Sequence, residues 1–107
     1  QQGSAISSLP AYAASKAAVK AVTQTVARAY AADGVLAYVV APGIVRTRMS
    51  EISATARGGI DAVNAFLAMR EMVPPEELGT LIAFLASGRC RHLSGATIDV
   101  NGATYVR

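Results

Sequence analysis

The 107-residue sequence is 52% apolar and only 16% charged, a balance that suits one small packed domain and excludes a disordered or solvating segment. Ten Lys and Arg against seven Asp and Glu leave a net charge of +3. The basic residues are spread along the chain without interleaved aromatics, which excludes a nucleic-acid-binding module and leaves anionic small molecules as partners.

One cysteine, Cys90, and one histidine, His92, stand in the chain. They exclude an internal disulfide and have no metal-ligand spacing, so no metal is expected. The apolar stretch 35–45 is too short to span a bilayer and is broken by Pro42 and Gly43, so no membrane partner is expected. No basic region followed by an apolar run marks a signal peptide, and a cytoplasmic location is the expectation.

In chain order, residues 1–9 are small and polar and read as a loop. Pro10 suits a first helical turn, and residues 10–33 read as one long alanine-rich helix. Val19, Val22, Val26 and Tyr30 recur at helical spacing and mark a core face. Ala14, Ala17, Ala18 and Ala21 form a smooth second strip, against which another helix can pack closely. Asp33-Gly34 ends the helix with a left-handed cap. Residues 35–41 are a continuous apolar run before Pro42-Gly43, the pattern of a strand buried on both faces.

Residues 46–73 read as a mobile loop-and-helix segment. Arg57-Gly58-Gly59 is its joint, and residues 60–72 carry apolar side chains near helical spacing. Pro74-Pro75-Glu76-Glu77 starts another helix, with carboxylates where the helix dipole favours them. Leu78, Leu81, Ile82 and Leu85 are its buried stripe, and it ends near Ser87-Gly88. Residues 96–100 are a second short strand closed by Asn101-Gly102, and residues 104–107 are a tail. Two such strands do not make a stable sheet alone, so the outline reads as a portion of a larger α/β domain.

Chemistry enters at Tyr12 and Lys16. Four residues apart on a helix, they share one face a turn apart. A free tyrosine ionises near pH ~10, and a neighbouring ammonium stabilises its phenolate. The pair is suited to moving a proton to or from a substrate oxygen.

The surrounding residues extend this pattern. Tyr12-Ala13-Ala14-Ser15-Lys16 resembles the Tyr-x-x-x-Lys signature of the short-chain dehydrogenase/reductase family. Pro42-Gly43-Ile44-Val45-Arg46-Thr47-Arg48-Met49 resembles that family's Pro-Gly-x-x-x-Thr-x-Met motif. Residues 75–79 and 84–87 resemble its penultimate helix, and residues 93–102 its last strand. The likeness runs through essentially the whole chain, with the motifs in the family's order.

The resemblance implies a Rossmann-type doubly wound parallel α/β sheet, of which this is the C-terminal half without the nucleotide-binding half. It implies hydride transfer between NAD or NADP and a carbonyl/alcohol substrate. Tyr12 would exchange the proton at the substrate oxygen. Lys16 would support the phenolate and hold the nicotinamide ribose. Pro42, Gly43, Ile44 and Val45 would face the nicotinamide carboxamide, and Thr47 would bond that carboxamide or a phosphate; the plainer alternatives are an ordinary turn at Pro42-Gly43 and a helix cap at Thr47. Ser7, Ser8 and Met49 would line the substrate pocket, residues 48–73 would form a lid, and a homo-dimer or tetramer is implied. The family's Gly-rich loop and the catalytic serine about a dozen residues before the tyrosine are not in this sequence. That departure favours the alternative of a truncated or non-catalytic interaction fragment. A further departure is Gly102-Ala103 in place of a double glycine, which is tolerable because residue 103 is expected to have ordinary backbone angles.

Overall fold

The computed structural model describes residues 2–107, with side chains from residue 10 onward. Helix α1 covers Gln2–Tyr30. The sequence predicts a loop through residue 9 and places Pro10 in the first turn. Instead Pro10 lies inside the helix. A proline there removes one N–H from the helical ladder at a cost of roughly 3 kcal/mol, and the uninterrupted alanine-rich run that follows carries the helix on. A 3-10 turn, Ala31–Asp33, leads to Gly34 at φ 79°, the left-handed cap that Asp33-Gly34 predicts.

By contact the chain divides into two compact units, residues 1–39 with 91–97 and residues 40–90 with 98–107. In the first unit, the half-buried or buried positions of α1 include Lys20, Thr23, Gln24 and Ala27, spaced i, i+3, i+4 and i+7. Ala27 is buried because Gly95 approaches it closely: a Cβ on Gly95 would stand 3.6 Å from that of Ala27. Small residues, not large apolar ones, therefore make this contact. Val19, Val22 and Tyr30, assigned to the core by their periodicity, are 62%, 62% and 51% exposed. The strip of Ala14, Ala17, Ala18 and Ala21 is exposed as well.

Strand β1 is Val39–Pro42, shorter and later than the apolar run suggests. The reason lies at Ala37. Its N–H donates to Ser94 Oγ at 3.0 Å, and its carbonyl accepts from Gly95 N–H at 2.7 Å. These loop contacts replace a sheet ladder, which begins only where Val39 N–H donates to the Ala96 carbonyl at 3.0 Å. Strand β2, Thr97–Val100, is the hydrogen-bonded neighbour of β1. Gly43 N–H donates to the Val100 carbonyl at 2.9 Å, so the pairing advances in the same direction along both strands and they are parallel. Both strands are only half-buried, because each has a single strand neighbour among the described residues. The described sheet thus has two parallel strands, fewer than the doubly wound sheet expected.

Three helices connect β1 to β2 within the second unit. Helix α2, Arg48–Thr55, forms where the sequence reads as a loop, started by a capping box in which Thr47 Oγ1 accepts from Ser50 N–H at 3.1 Å. Helix α3 is Ile60–Phe66, and helix α4 is Pro75–Ala86, starting at the predicted prolines. Ala54, Val63, Leu67 and Met72 form a buried cluster, so α2, α3 and the segment after α3 close on one another. On α4, Leu85 is buried, but Ile82 is 53% exposed and leaves the predicted stripe.

Ala103 overturns one expectation. Its φ is 64°, next to Gly102 at 59°, so residue 103 does not have ordinary angles. The left-handed region costs an L-residue roughly 1–2 kcal/mol, part of which glycine gives back in chain entropy. Ala103→Gly should stabilise the protein by about 0.5–1 kcal/mol in chemical denaturation. A destabilising outcome would show that the alanine methyl contributes packing worth more than the strain.

Candidate active site

Tyr12 and Lys16 occupy successive turns of α1. Lys16 Nζ stands 5.2 Å from the centroid of the Tyr12 ring, within the range of a cation–π contact. Tyr12 is 61% exposed and Lys16 is exposed too. The phenol and the ammonium are therefore held together and remain open to a ligand. Ser7 and Ser8, expected along the substrate pocket, have side chains outside the described residues.

The second group of predicted residues belongs to the other unit and starts at Pro42, the last residue of β1. Gly43 has no room for a side chain: a Cβ would lie 2.8 Å from Asn101 Cβ and 3.1 Å from Asn101 Cα. The chain then makes one parallel bridge, Val45 with Val73. Val73 N–H donates to the Ile44 carbonyl at 2.7 Å, and Arg46 N–H donates to the Val73 carbonyl at 2.8 Å. In a parallel bridge the central residue turns its own N–H and C=O away from the partner strand. The N–H groups of Ile44 and Val45 donate to no described residue. They are two free backbone donors just past the C-terminal end of a parallel strand, where such sheets bind ligands.

Thr47 caps α2. Its Oγ1 accepts from Ser50 N–H, and Ser50 Oγ accepts from Thr47 N–H at 2.8 Å. The cap uses the threonine oxygen as an acceptor. Its O–H can still donate, with only a long 3.3 Å approach to Ser50 Oγ. Met49, in the first turn of α2, is 80% exposed.

A cavity of about 340 Å³ joins Pro42, Gly43 and Ile44 to Leu67, Glu71 and the residues after β2. Asn101, Thr104, Tyr105 and Arg107 also line it; Asn101 falls near the end of the last-strand motif, and the other three lie outside the motifs. Asn101 had one further signal, its place immediately after a strand parallel to the one ending in Pro42-Gly43. Arg107 Nε and Nη2 donate to Asp99 at 2.5 and 3.1 Å. The hydrogen bond to Asp99, then its negative charge, raises the Arg107 guanidinium above its ordinary range. Cys90 and His92 are exposed, and among the described residues no His, Cys, Asp or Glu cluster could hold a metal ion. Among them also, no helix is long and apolar enough to cross a membrane.

Residues 1–103 match the family model described as enoyl-(acyl carrier protein) reductase. The chain belongs to the short-chain dehydrogenase/reductase family. Among curated members, short-chain dehydrogenase/reductase eriH of Hericium erinaceus is 38% identical over 92 residues, covering 86% of this chain and 36% of that protein. The (3R)-3-hydroxyacyl-CoA dehydrogenase of Mus musculus is 34% identical over 95 residues, covering 89% and 36%. A short-chain dehydrogenase/reductase (glucose/ribitol dehydrogenase) structure from Brucella melitensis has a TM-score of 0.77 at 30% identity, covering 90% of this chain and 38% of that one. The fold is shared with a 4-hydroxyisoleucine dehydrogenase complexed with NADH, at a TM-score of 0.76 and 22% identity, covering 87% and 38%. These neighbours give the chain a Rossmann-like α/β fold, of which it holds a part. This short-chain dehydrogenase/reductase chain spans a little over a third of the length of the relatives it matches.

Proposed function

We propose that this chain is the C-terminal part of a nicotinamide-dependent oxidoreductase that interconverts a carbonyl and an alcohol. The observation that carries this reading is the exposed Tyr12–Lys16 pair, with Lys16 Nζ 5.2 Å from the centroid of the Tyr12 ring, in a chain of this family. The Tyr12 hydroxyl gives a proton to the substrate oxygen in reduction and takes one in oxidation. Lys16 stabilises the phenolate by its charge and hydrogen-bonds the nicotinamide ribose.

The turn fits a nicotinamide. Two free N–H donors, from Ile44 and Val45, suit a carboxamide oxygen, and Pro42 and Gly43 form the adjoining wall. Thr47 offers its hydroxyl proton to the same carboxamide or to a phosphate. When bound, NAD or NADP supplies or accepts the hydride. Residues 48–73 act as the lid over the substrate. Ile52, Phe66 and Met69 are exposed there, as is Met49, which supports a partly apolar substrate. Ser7 and Ser8 complete the substrate side, and the intact protein is a homo-dimer or tetramer. The hydroxyacyl-CoA activity named for the mouse relative supports a secondary alcohol as the substrate class.

The test is titration of NADH and of NADPH into the full-length protein, followed by the fluorescence of the reduced nicotinamide. Saturable binding of at least one is expected. Failure of both to bind would remove the nicotinamide reading.

A further inference from the structure

Two groups in the second unit are separated by more than twenty residues, yet the segment after β2 touches both. On one side is the Pro42-Gly43 turn. Asn101 lies so close to Gly43 that the space for a Cβ is taken. On the other side is the segment 67–73, the end of the proposed lid. Ala68 N–H donates to Thr104 Oγ1 at 3.1 Å, and the Met69 side chain lies over Gly102, where a Cβ would meet its Cγ and Sδ at 3.2 Å.

The tail itself is fixed. Thr104 N–H donates to the Asn101 carbonyl at 3.1 Å. Asn101 Nδ2 donates to the Tyr105 carbonyl at 2.9 Å. Arg107 is held on Asp99 by two bonds. The first two contacts fold the segment on itself, and the third anchors it to β2. It walls the same cavity as Gly43 and Leu67.

We infer that residues 101–107 form a strap that sets the substrate segment 67–73 against the Pro42-Gly43 turn, with Thr104 as a positioning residue for substrate binding. The inference rests on the dehydrogenase reading. Thr104 lines the cavity and holds the segment through the backbone of Ala68. Its hydroxyl is an acceptor, so valine removes the bond while keeping the shape, and serine keeps the bond. Loosening the strap displaces a wall of the cavity and removes no proton-transfer group. The cost therefore falls on substrate binding.

Thr104→Val and Thr104→Ser are compared in the full-length protein by amide hydrogen exchange and steady-state kinetics. For Thr104→Val, faster exchange confined to residues 68–72 is expected. With it, KM for the carbonyl substrate should rise about threefold, on the scale of one exposed hydrogen bond, with kcat nearly unchanged. Thr104→Ser should match the wild type in both. Unchanged exchange in Thr104→Val overturns the strap. Faster exchange with an unchanged KM overturns its role in substrate binding. A joint loss of kcat and global stability overturns the positioning role in favour of a merely structural one. A wild type without nicotinamide-dependent turnover overturns the underlying enzyme reading, and that is seen before any variant is made.

Discussion

Tyr12→Phe in the full-length protein is expected to lower kcat by about 10²- to 10⁴-fold, the range set by loss of a positioned acid/base group. The change is narrow. Tyr12 is 61% exposed, so removing its hydroxyl creates no cavity and strands no buried partner. The ring stays under Lys16 Nζ, and the cation–π contact at 5.2 Å depends on the ring face and not on the hydroxyl. Lys16 also stays free to hold the ribose, so cofactor affinity should change little. The measurement is single-turnover reduction alongside a thermal midpoint and a cofactor titration. Activity within tenfold of the wild type would take the proton from Tyr12 and assign it to another group. Loss of activity together with cofactor binding would point instead to a disturbed α1.

The Tyr12–Lys16 pair was legible because helical spacing is a local property: residues four apart on an alanine-rich helix meet whatever surrounds it. Helix α4 was legible for a similar reason, since Pro74-Pro75 followed by Glu76 and Glu77 is a local start signal. Burial along α1 was legible only at Val26. Val19, Val22 and Tyr30 have the spacing of a core face, yet close approach of Gly95 places Ala27 there instead. Periodicity names a face, and only the partner decides which face is covered. Strand β1 was displaced by a contact that sequence does not announce, the Ser94 side chain on Ala37. Helix α2 was legible only as the alternative of a helix cap at Thr47, because Ser at the third position of its capping box is a weaker sign than Glu or Gln. Ala103 was read as ordinary because an alanine carries no mark of a left-handed backbone. The turn residues 42–45 were visible as a motif. Their contact with a neighbour far away in sequence, Asn101, which makes glycine necessary at position 43, was not.

That neighbour sets the second large effect. Gly43→Ala is expected to destabilise the full-length protein by about 1–3 kcal/mol, the usual cost of forcing an extra carbon into a filled space. Gly43 is not among the positive-φ glycines, so the requirement is room and not backbone freedom. The new Cβ would stand 2.8 Å from Asn101 Cβ and 3.1 Å from its Cα. A flexible side-chain tip could swing away, but these atoms cannot. Asn101 follows β2 directly, and its amide is tied to Tyr105. Relief must therefore come from shifting the turn itself, which strains the Gly43 bond to Val100 and moves the free donors at Ile44 and Val45. Cofactor affinity should fall with stability. Gly79→Ala is the matched control: Gly79 lies in α4, has nothing within 4 Å of a new Cβ and has no positive φ. There alanine should stabilise by about 0.5–1 kcal/mol through helix propensity and the loss of unfolded-state freedom. Urea denaturation and cofactor titration of the two variants separate the cases. If Gly43→Ala were as harmless as Gly79→Ala, Asn101 would be free to yield, and the turn would not be held from behind by the segment after β2.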